Sequence, residues 1–534
     1  MEIRKSKKFI QHSYILMIGY FLSTAISTIG TILIVRLISV EEYSLISIAY
    51  ILPNILISFS ELGLNFSSTH FIARKISEDD EKGVRDIIKI NLFVKTLIGS
   101  VFMVYVAFFP VFIAKSIYNI NDDRIIMLIQ ISSIGIISTI LYEALNSFFL
   151  GAQSMQVVQF GSILRSVLRT GISVFLIILG YTLIGPLIGF VFSTLIVVIY
   201  FFIFLKKIYP KKKSEKSATN WSELSVMFRY GYPLMIGAFI AQIQNEIYFL
   251  ILSNYGYIPE VSYLQLAITG AALIGIFKKA ISQSLFPIFS QKNWKEVEDR
   301  SSIINYYSFS LKFETLLILP IAFFIVLYSG DIFSIIFGEA YRIGGPYFSL
   351  HYLSYFLIPI GSITIPAFLN GQKMTKNMLY IELITFTTSV ILALLLIPYF
   401  GGFAMFIGIL FGKTLSIIYG NIIIYKKFGK ELYCNLKAVF LIFLVAIISG
   451  IIIYIFYSII TTFLLSNELL NILFLIISFI AYIGLYLFLI GIFSLINNEE
   501  IDLIINSFEV IPILSKFFLI LGKIEKRILK IRKR

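Results

Sequence analysis

Residues Phe228–Gln291 read FRYGYPLMIGAFIAQIQNEIYFLILSNYG, then a short break, YIPEVSY, then LQLAITGAALIGIFKKAISQSLFPIFSQ. Each apolar run is long enough to cross a hydrocarbon core of ~30 Å at ~1.5 Å per helical residue. Both runs carry groups that a lipid-facing helix avoids, among them Glu246, Lys278 and Lys279. A second copy of this hairpin lies near the N-terminus. Tyr14 and Leu16–Gly19 (YILMIG) match Tyr232 and Leu234–Gly237 (YPLMIG) at an offset of 218, and Glu42, Ser44 and Ala49 fall on Glu260, Ser262 and Ala267. At an offset of 219, Gln153, Met155 and Gly189 fall on Gln372, Met374 and Gly408. A nearly constant offset over some 190 residues describes two related halves. Internal repeats are common in secondary transporters, where the substrate site lies at the repeat interface.

Composition bounds the rest. Apolar residues make up 58% of the chain and charged residues 14%, against about a quarter charged in soluble domains. Apolar runs of spanning length recur throughout, so the fold class is an all-α polytopic membrane protein. An unclosed strand would leave backbone groups unpaired in lipid. The single cysteine, Cys434, excludes an intramolecular disulfide framework and a cysteine zinc site, and His12, His70 and His351 lie far apart. No metal and no cofactor are expected. The net charge of +14 suits cytoplasmic loops facing anionic headgroups, not nucleic acid. The first apolar run lacks a small-residue cleavage site and reads as an uncleaved helix.

Fourteen spans are expected. An N-terminal six-helix half covers 1–205, with spans at 13–38, 44–72, 88–110, 124–149, 158–179 and 183–205. A basic linker covers 206–226, and a C-terminal six-helix half covers 227–425, with spans at 227–253, 262–290, 305–328, 346–369, 377–397 and 403–425. Residues 426–496 hold two additional spans, and 497–534 form a basic, amphipathic tail suited to the inner leaflet or simply to fixing topology. Arg and Lys crowd alternate loops, as in KKIYPKKKSEK, while SVEEY, GYT and PYFGG are nearly bare. Both termini are therefore expected on the cytoplasmic side of the inner or plasma membrane.

Polar residues recur inside the spans. Asn54, Ser58, Glu61, Asn65 and Ser68 step by 4, 3, 4 and 3, which predicts one face of the second span. Gln242, Asn245 and Glu246 share a face of the seventh span, and a shift of 218 carries them onto Thr24, Ser27 and Thr28 of the first. The same shift carries Glu61 and Asn65 onto Lys279 and Gln283 of the eighth, reversing the charge at one place. These recurrences predict a hydrated cavity between the halves, walled by spans one, two, seven and eight. The alternative is that the groups only bind the halves together. Lys278 and Lys279 either flank the cytoplasmic end of the eighth span or, since AISQSLFPIF continues the helical register, sit inside it where a cation can hold a phosphate. Glu143 and Arg165, at similar depth, are expected to form a structural ion pair, leaving Arg169 for a pyrophosphate or sugar.

Other motifs fail. Phe411–Thr414 (FGKT) lacks the glycine that a phosphate-binding loop requires at 407, which is Ile407, and it lies in an apolar run. No serine-hydrolase or zinc-hydrolase constellation is present. Gly185/Gly189 and Gly408/Gly412 are small-xxx-small pairs suited to close helix packing.

Several stretches together resemble the polysaccharide-exporter (Wzx-like) branch of the multidrug/oligosaccharidyl-lipid/polysaccharide (MOP, MATE-like) superfamily. They are VRLISVEEYSLISIA, ELGLNFSSTHFIARK, FFLGAQSMQVVQFGSILRSVLRTGISVFLIILGYTLIGPLIG, and the opening hairpin with SQSLFPIFSQ. The resemblance spans residues 10–460. The first span carries no cavity arginine–aspartate pair, which points away from the peptidoglycan-precursor branch. The resemblance implies a flippase, not an enzyme, moving a lipid-linked, polyprenyl-pyrophosphate oligosaccharide to the outer leaflet by alternating access. It leaves the coupling ion, H+ or Na+, open, and makes membrane lipids and other glycan-assembly proteins candidate partners. The rival within the superfamily is a cation-coupled exporter of drugs or small molecules, for which Glu61 and Glu246 would be the ion site. A glycan polymerase would carry a large soluble loop, and the longest internal loop here is about 20 residues.

Overall fold

The structure is a computed structural model that describes residues 2–208, 219–291, 294, 296–433, 436–464 and 468–496. The middle of the expected linker and the whole expected tail lie outside the described residues, as do the side chains of Lys279 and Gln283. Every regular element described is helical. The main helices are α1 (Glu2–Leu37), α2 (Val40–Ala49), α3 (Ile51–Ser60), α4 (Leu64–Ser77), α5 (Glu81–Phe108), α6 (Asp123–Gly151), α7 (Met155–Ile178), α8 (Ile184–Ile208) and α9 (Ser222–Asn254). They continue with α10 (Ile258–Gln291), α11 (Val297–Leu327), α12 (Ser329–Phe337), α13 (Gly345–Leu353), α14 (Thr364–Gly371), α15 (Thr375–Phe400), α16 (Phe403–Phe428), α17 (Leu436–Leu464) and α18 (Glu468–Ile492).

Among the described residues, twelve helical stretches are long and apolar enough to cross a membrane. A thirteenth is a broken pair, Glu339–Ile360 and Thr364–Gly371, bent by 52°. The fourteenth expected position is α10, a single helix of 34 residues that runs on past Lys278-Lys279 to Gln291. The chain is thus a multi-pass, all-α membrane protein. FGKT lies inside α16, so it is no loop.

Local chemistry sets the helix starts. Ser39 and Glu42 cap α2 reciprocally, Ser39 Oγ accepting from the Glu42 N–H at 3.2 Å and Glu42 Oε2 accepting from the Ser39 N–H at 2.8 Å. Asp80 caps α5 by accepting from the Gly83 N–H at 2.8 Å, and Lys75 Nζ donates to its other oxygen at 2.8 Å. That bond is the main reason the Asp80 carboxyl titrates below the usual aspartate range.

Two spans depart from the continuous helices expected. The second is interrupted after Ser60, where Leu62 (φ 44°) and Gly63 (φ 71°) adopt left-handed backbone before α4 begins. The interruption resets the helical phase, so the 4-3-4-3 stripe does not run down one face. A side chain at Gly63 would collide with the backbone of Gly231 in α9, and one at Gly231 with the Gly63 carbonyl. Only glycine on both sides allows this approach. The tenth span is interrupted by a 3-10 segment, Ser354–Ile360, and by left-handed Gly361 (φ 98°).

The described residues form two compact units. One holds the described residues within 1–276, 336–347 and 382–412, the other those within 277–335, 348–381 and 413–534. The first unit has a core of Leu145, Phe148, Phe149, Val197 and Phe201, contributed by α6 and α8. Its helices approach closely where small residues meet: Gly189 of α8 lies against Ser173 of α7, and a Cβ on Gly412 would lie 2.6 Å from the Thr385 carbonyl. The second unit packs α17 and α18 on α11. Tyr486 Oη donates to the Leu316 carbonyl and Tyr482 Oη to the Ala446 carbonyl, both at 3.2 Å, so these two buried phenols are satisfied by backbone.

Candidate substrate cavity

The first unit contains a cavity of about 520 Å³. One wall is α1, which presents hydroxyls from Tyr20, Ser23, Thr24, Ser27, Thr28 and Thr31. The steps of 3 and 4 put these groups on one helical face. The facing wall is α7, which presents Ser162, Arg165, Ser166 and Arg169 at the same spacing. The two helices pack closely because a side chain at Gly30 of α1 would collide with Thr170 of α7. Ser27 and Ser166 share a hydroxyl–hydroxyl hydrogen bond of 2.9 Å, and Ser166 Oγ donates to the Ser23 carbonyl at 3.1 Å. Tyr43, Tyr142, Gln265 and Thr269 complete the polar lining, and no carboxylate is part of it among the described residues.

The two arginines are held differently. Arg165 Nε donates to Thr194 Oγ1 at 3.0 Å, and its guanidinium lies 4.5 Å from the Tyr142 ring centre and 5.1 Å from that of Phe190. A guanidinium fixed between aromatic faces keeps its charge and several N–H donors. Arg169 lies 5.5 Å from the Phe190 ring centre. The pair is therefore a fixed positive centre in a hydroxyl-lined space, suited to an anionic headgroup with sugar hydroxyls beside it.

The cavity collects four of the expected site residues, Thr24, Ser27, Thr28 and Arg169, and adds Arg165. The expected Glu143–Arg165 ion pair is not formed among the described residues. Tyr142, Phe190 and Thr194 occupy the Arg165 guanidinium, and the charge that acts most on Glu143 is Lys95, ahead of Arg165. Glu61 does not line the cavity. It accepts from Lys95 Nζ at 3.1 Å and from Asn65 Nδ2, and Lys95 is fully buried. Ser58 is spent on the Asn54 carbonyl at 2.9 Å, and Ser68 accepts from Asn91 Nδ2 at 2.6 Å. Asn54 donates to Glu246 Oε1 at 3.0 Å, tying α3 to α9. Gln242 is exposed and Asn245 half-buried, both outside the cavity lining. Lys278 belongs to the second unit, where its charge acts on Glu314 and His351.

Sequence reasoning missed Lys95 and Glu314. Lys95 is a lone charge in the apolar run NLFVKTLIG, and Glu314 stands two residues from Lys312 in FSLKFETLLI; charge inside a span is the signal that could have found them. Glu314 is fully buried and accepts from Thr364 Oγ1 at 3.0 Å.

A bundle of long apolar helices around a charged, hydroxyl-lined cavity is a membrane transporter. The chain belongs to the polysaccharide biosynthesis protein family, whose model matches residues 9–293. The model of the lipid II flippase MurJ matches residues 184–480, so the departure at the first span does not exclude that branch. These are flippases and transporters of the MOP superfamily, not enzymes. "Uncharacterized membrane protein MJ1068" of Methanocaldococcus jannaschii is 23% identical over 517 residues, which is 94% of this chain and 96% of that protein. A solved lipid II flippase MurJ in an inward closed conformation superposes with a TM-score of 0.69 at 18% identity, over 88% of this chain and 98% of that one. A MOP superfamily transporter from Pyrococcus furiosus superposes with a TM-score of 0.54 at 16% identity, over 80% and 96%.

Proposed function

We propose that the chain flips a lipid-linked, polyprenyl-pyrophosphate oligosaccharide from the cytoplasmic to the outer leaflet, supplying surface polysaccharide synthesis. The observation that carries this reading is the cavity, with two arginines, a hydroxyl lining and, among the described residues, no carboxylate. A diphosphate brings negative charge that Arg165 and Arg169 meet with charge-assisted hydrogen bonds. The attached sugar brings hydroxyls that the serine, threonine and tyrosine groups pair. At about 520 Å³ the cavity suits the diphosphate end and the nearest sugar, not a whole oligosaccharide. The polyprenyl tail stays in lipid.

Transport proceeds by alternating access of the two sequence halves, in the inner or plasma membrane with both termini cytoplasmic. The drug-exporter reading fits less well, because a pocket for cations would place carboxylates in its lining. A deletion strain tests the two. Accumulation of lipid-linked oligosaccharide with loss of surface glycan supports the flippase. Normal glycan with loss of ion-driven drug efflux contradicts it.

A further inference from the structure

Lys95 of α5 is the middle member of a buried set contributed by three consecutive spans. On one side it is ion-paired with Glu61, at the interruption before Gly63. On the other its charge acts on Glu143 of α6. Glu143 follows Tyr142, whose ring lines the cavity and faces the Arg165 guanidinium at 4.5 Å. The order along the spans is acid, base, acid, and Glu143 joins the set to the cavity as the chain neighbour of Tyr142.

The sequence duplication carries this set onto the second half with its signs exchanged. An offset of 218 takes Glu61 to Lys279, and one of 219 takes Lys95 to Glu314 and Glu143 to Ser362. In the second unit, Lys278, the neighbour of Lys279, acts on Glu314. Glu314 in turn accepts from Thr364, the first residue of α14, just past left-handed Gly361. The order there is base, acid, hydroxyl. In both units a carboxylate is tied to a helix interruption beside a left-handed glycine: Glu61 lies at it, and Glu314, inside α11, reaches it through Thr364.

We infer that Glu61, Lys95 and Glu143 are positioning residues, a charged lock that fixes spans two to four, the last of which carries Tyr142 of the arginine cavity. Lys278, Glu314 and Thr364 are the sign-reversed copy of that lock in the second unit. The inference rests on the flippase reading only for its transport readout. A lock defined by complementary charge tolerates exchange of its signs and does not tolerate like charges.

The test is a charge-swap series in purified protein, read by flipping rate in proteoliposomes and by the midpoint of thermal unfolding. Glu61→Lys and Lys95→Glu alone are each expected to lower the flipping rate at least tenfold and to lower the midpoint. Lys95→Arg is expected to keep most of the rate. The triple exchange Glu61→Lys/Lys95→Glu/Glu143→Ser gives the first half the polarity of the second. It is expected to return the rate to within about threefold of wild type and to restore the midpoint. The neutral pair Glu61→Gln/Lys95→Met is expected to fold at least as stably as wild type and still flip at least fivefold more slowly. A folded triple exchange no better than the single variants overturns the inference, and so does a neutral pair with the full rate. If the exchanges do not fold, the neutral pair decides. If wild type flips nothing, the flippase reading fails, and the midpoints of the same series still decide whether the lock exists.

Discussion

Replacing Arg169 by alanine is expected to slow flipping of a diphosphate-linked saccharide by about tenfold to a hundredfold, with the unfolding midpoint nearly unchanged. Arg169 lies 5.5 Å from the Phe190 ring centre and lines the cavity with no carboxylate beside it among the described lining residues. Its removal therefore leaves no buried anion uncompensated in the lining. What is lost is a charge-assisted hydrogen bond to substrate, worth about 1.5–3 kcal/mol, and each ~1.4 kcal/mol is a factor of ten. Arg169→Lys keeps the charge but not the two-pronged geometry and should fall between the two. Arg165→Ala should be slower still and also less stable, since Arg165 holds Thr194 at 3.0 Å and packs against Tyr142 and Phe190. Initial rates against lipid concentration, at matched protein content, check this. An Arg169→Ala protein with the wild-type rate would remove the arginine from the substrate path.

Gly63→Ala is expected to destabilise the protein by about 2–5 kcal/mol, the sum of two separable costs. At φ 71° any residue with a Cβ pays about 1–2 kcal/mol in left-handed backbone. Its Cβ also collides with the backbone of Gly231, and separating two packed helices costs about 1–3 kcal/mol more. Gly231→Ala isolates the second cost, because Gly231 lies inside α9 with ordinary helical backbone and its Cβ would meet the Gly63 carbonyl. The midpoint of thermal unfolding in detergent should fall for both variants and further for Gly63→Ala. Equal midpoints for wild type and Gly63→Ala would mean that α4 and α9 are not in backbone contact.

The class of fold was legible because lipid permits few solutions. Long runs of Ile, Leu and Phe must be helices, and basic loops alternate with bare ones. The interruption at residues 61–63 was not legible, because ELGLN continues an apolar-polar pattern that a straight helix also satisfies. The left-handed turn is a tertiary consequence of Gly63 meeting Gly231, 168 positions away in the sequence.

Only part of the cavity lining was legible, for a related reason. Recurring polarity pointed to α1, and the cavity does take Thr24, Ser27 and Thr28 from it. The recurrence did not lead to α7 as a wall: a shift of 219 carries Arg165 onto Ile384, while Arg169, already expected at the substrate, falls on Thr388. Depth alone paired Arg165 with Glu143, and depth does not show that Tyr142 stands beside the guanidinium at 4.5 Å. Lys95 passed unnoticed because a single charge in an apolar span has no periodicity to flag it, yet its full burial against Glu61 demands a partner.

A diphosphate-linked saccharide is expected to move between leaflets through the arginine cavity. The direct measurement uses purified protein in liposomes carrying a fluorescent polyprenyl-diphosphate saccharide, with an impermeant quencher added outside. Wild type should expose the inner-leaflet lipid to the quencher, and Arg165→Ala/Arg169→Ala should return the trace to that of protein-free vesicles. Folded wild-type protein that leaves half the fluorescence protected under every ion gradient and potential tried would contradict the account and favour an exporter of small molecules.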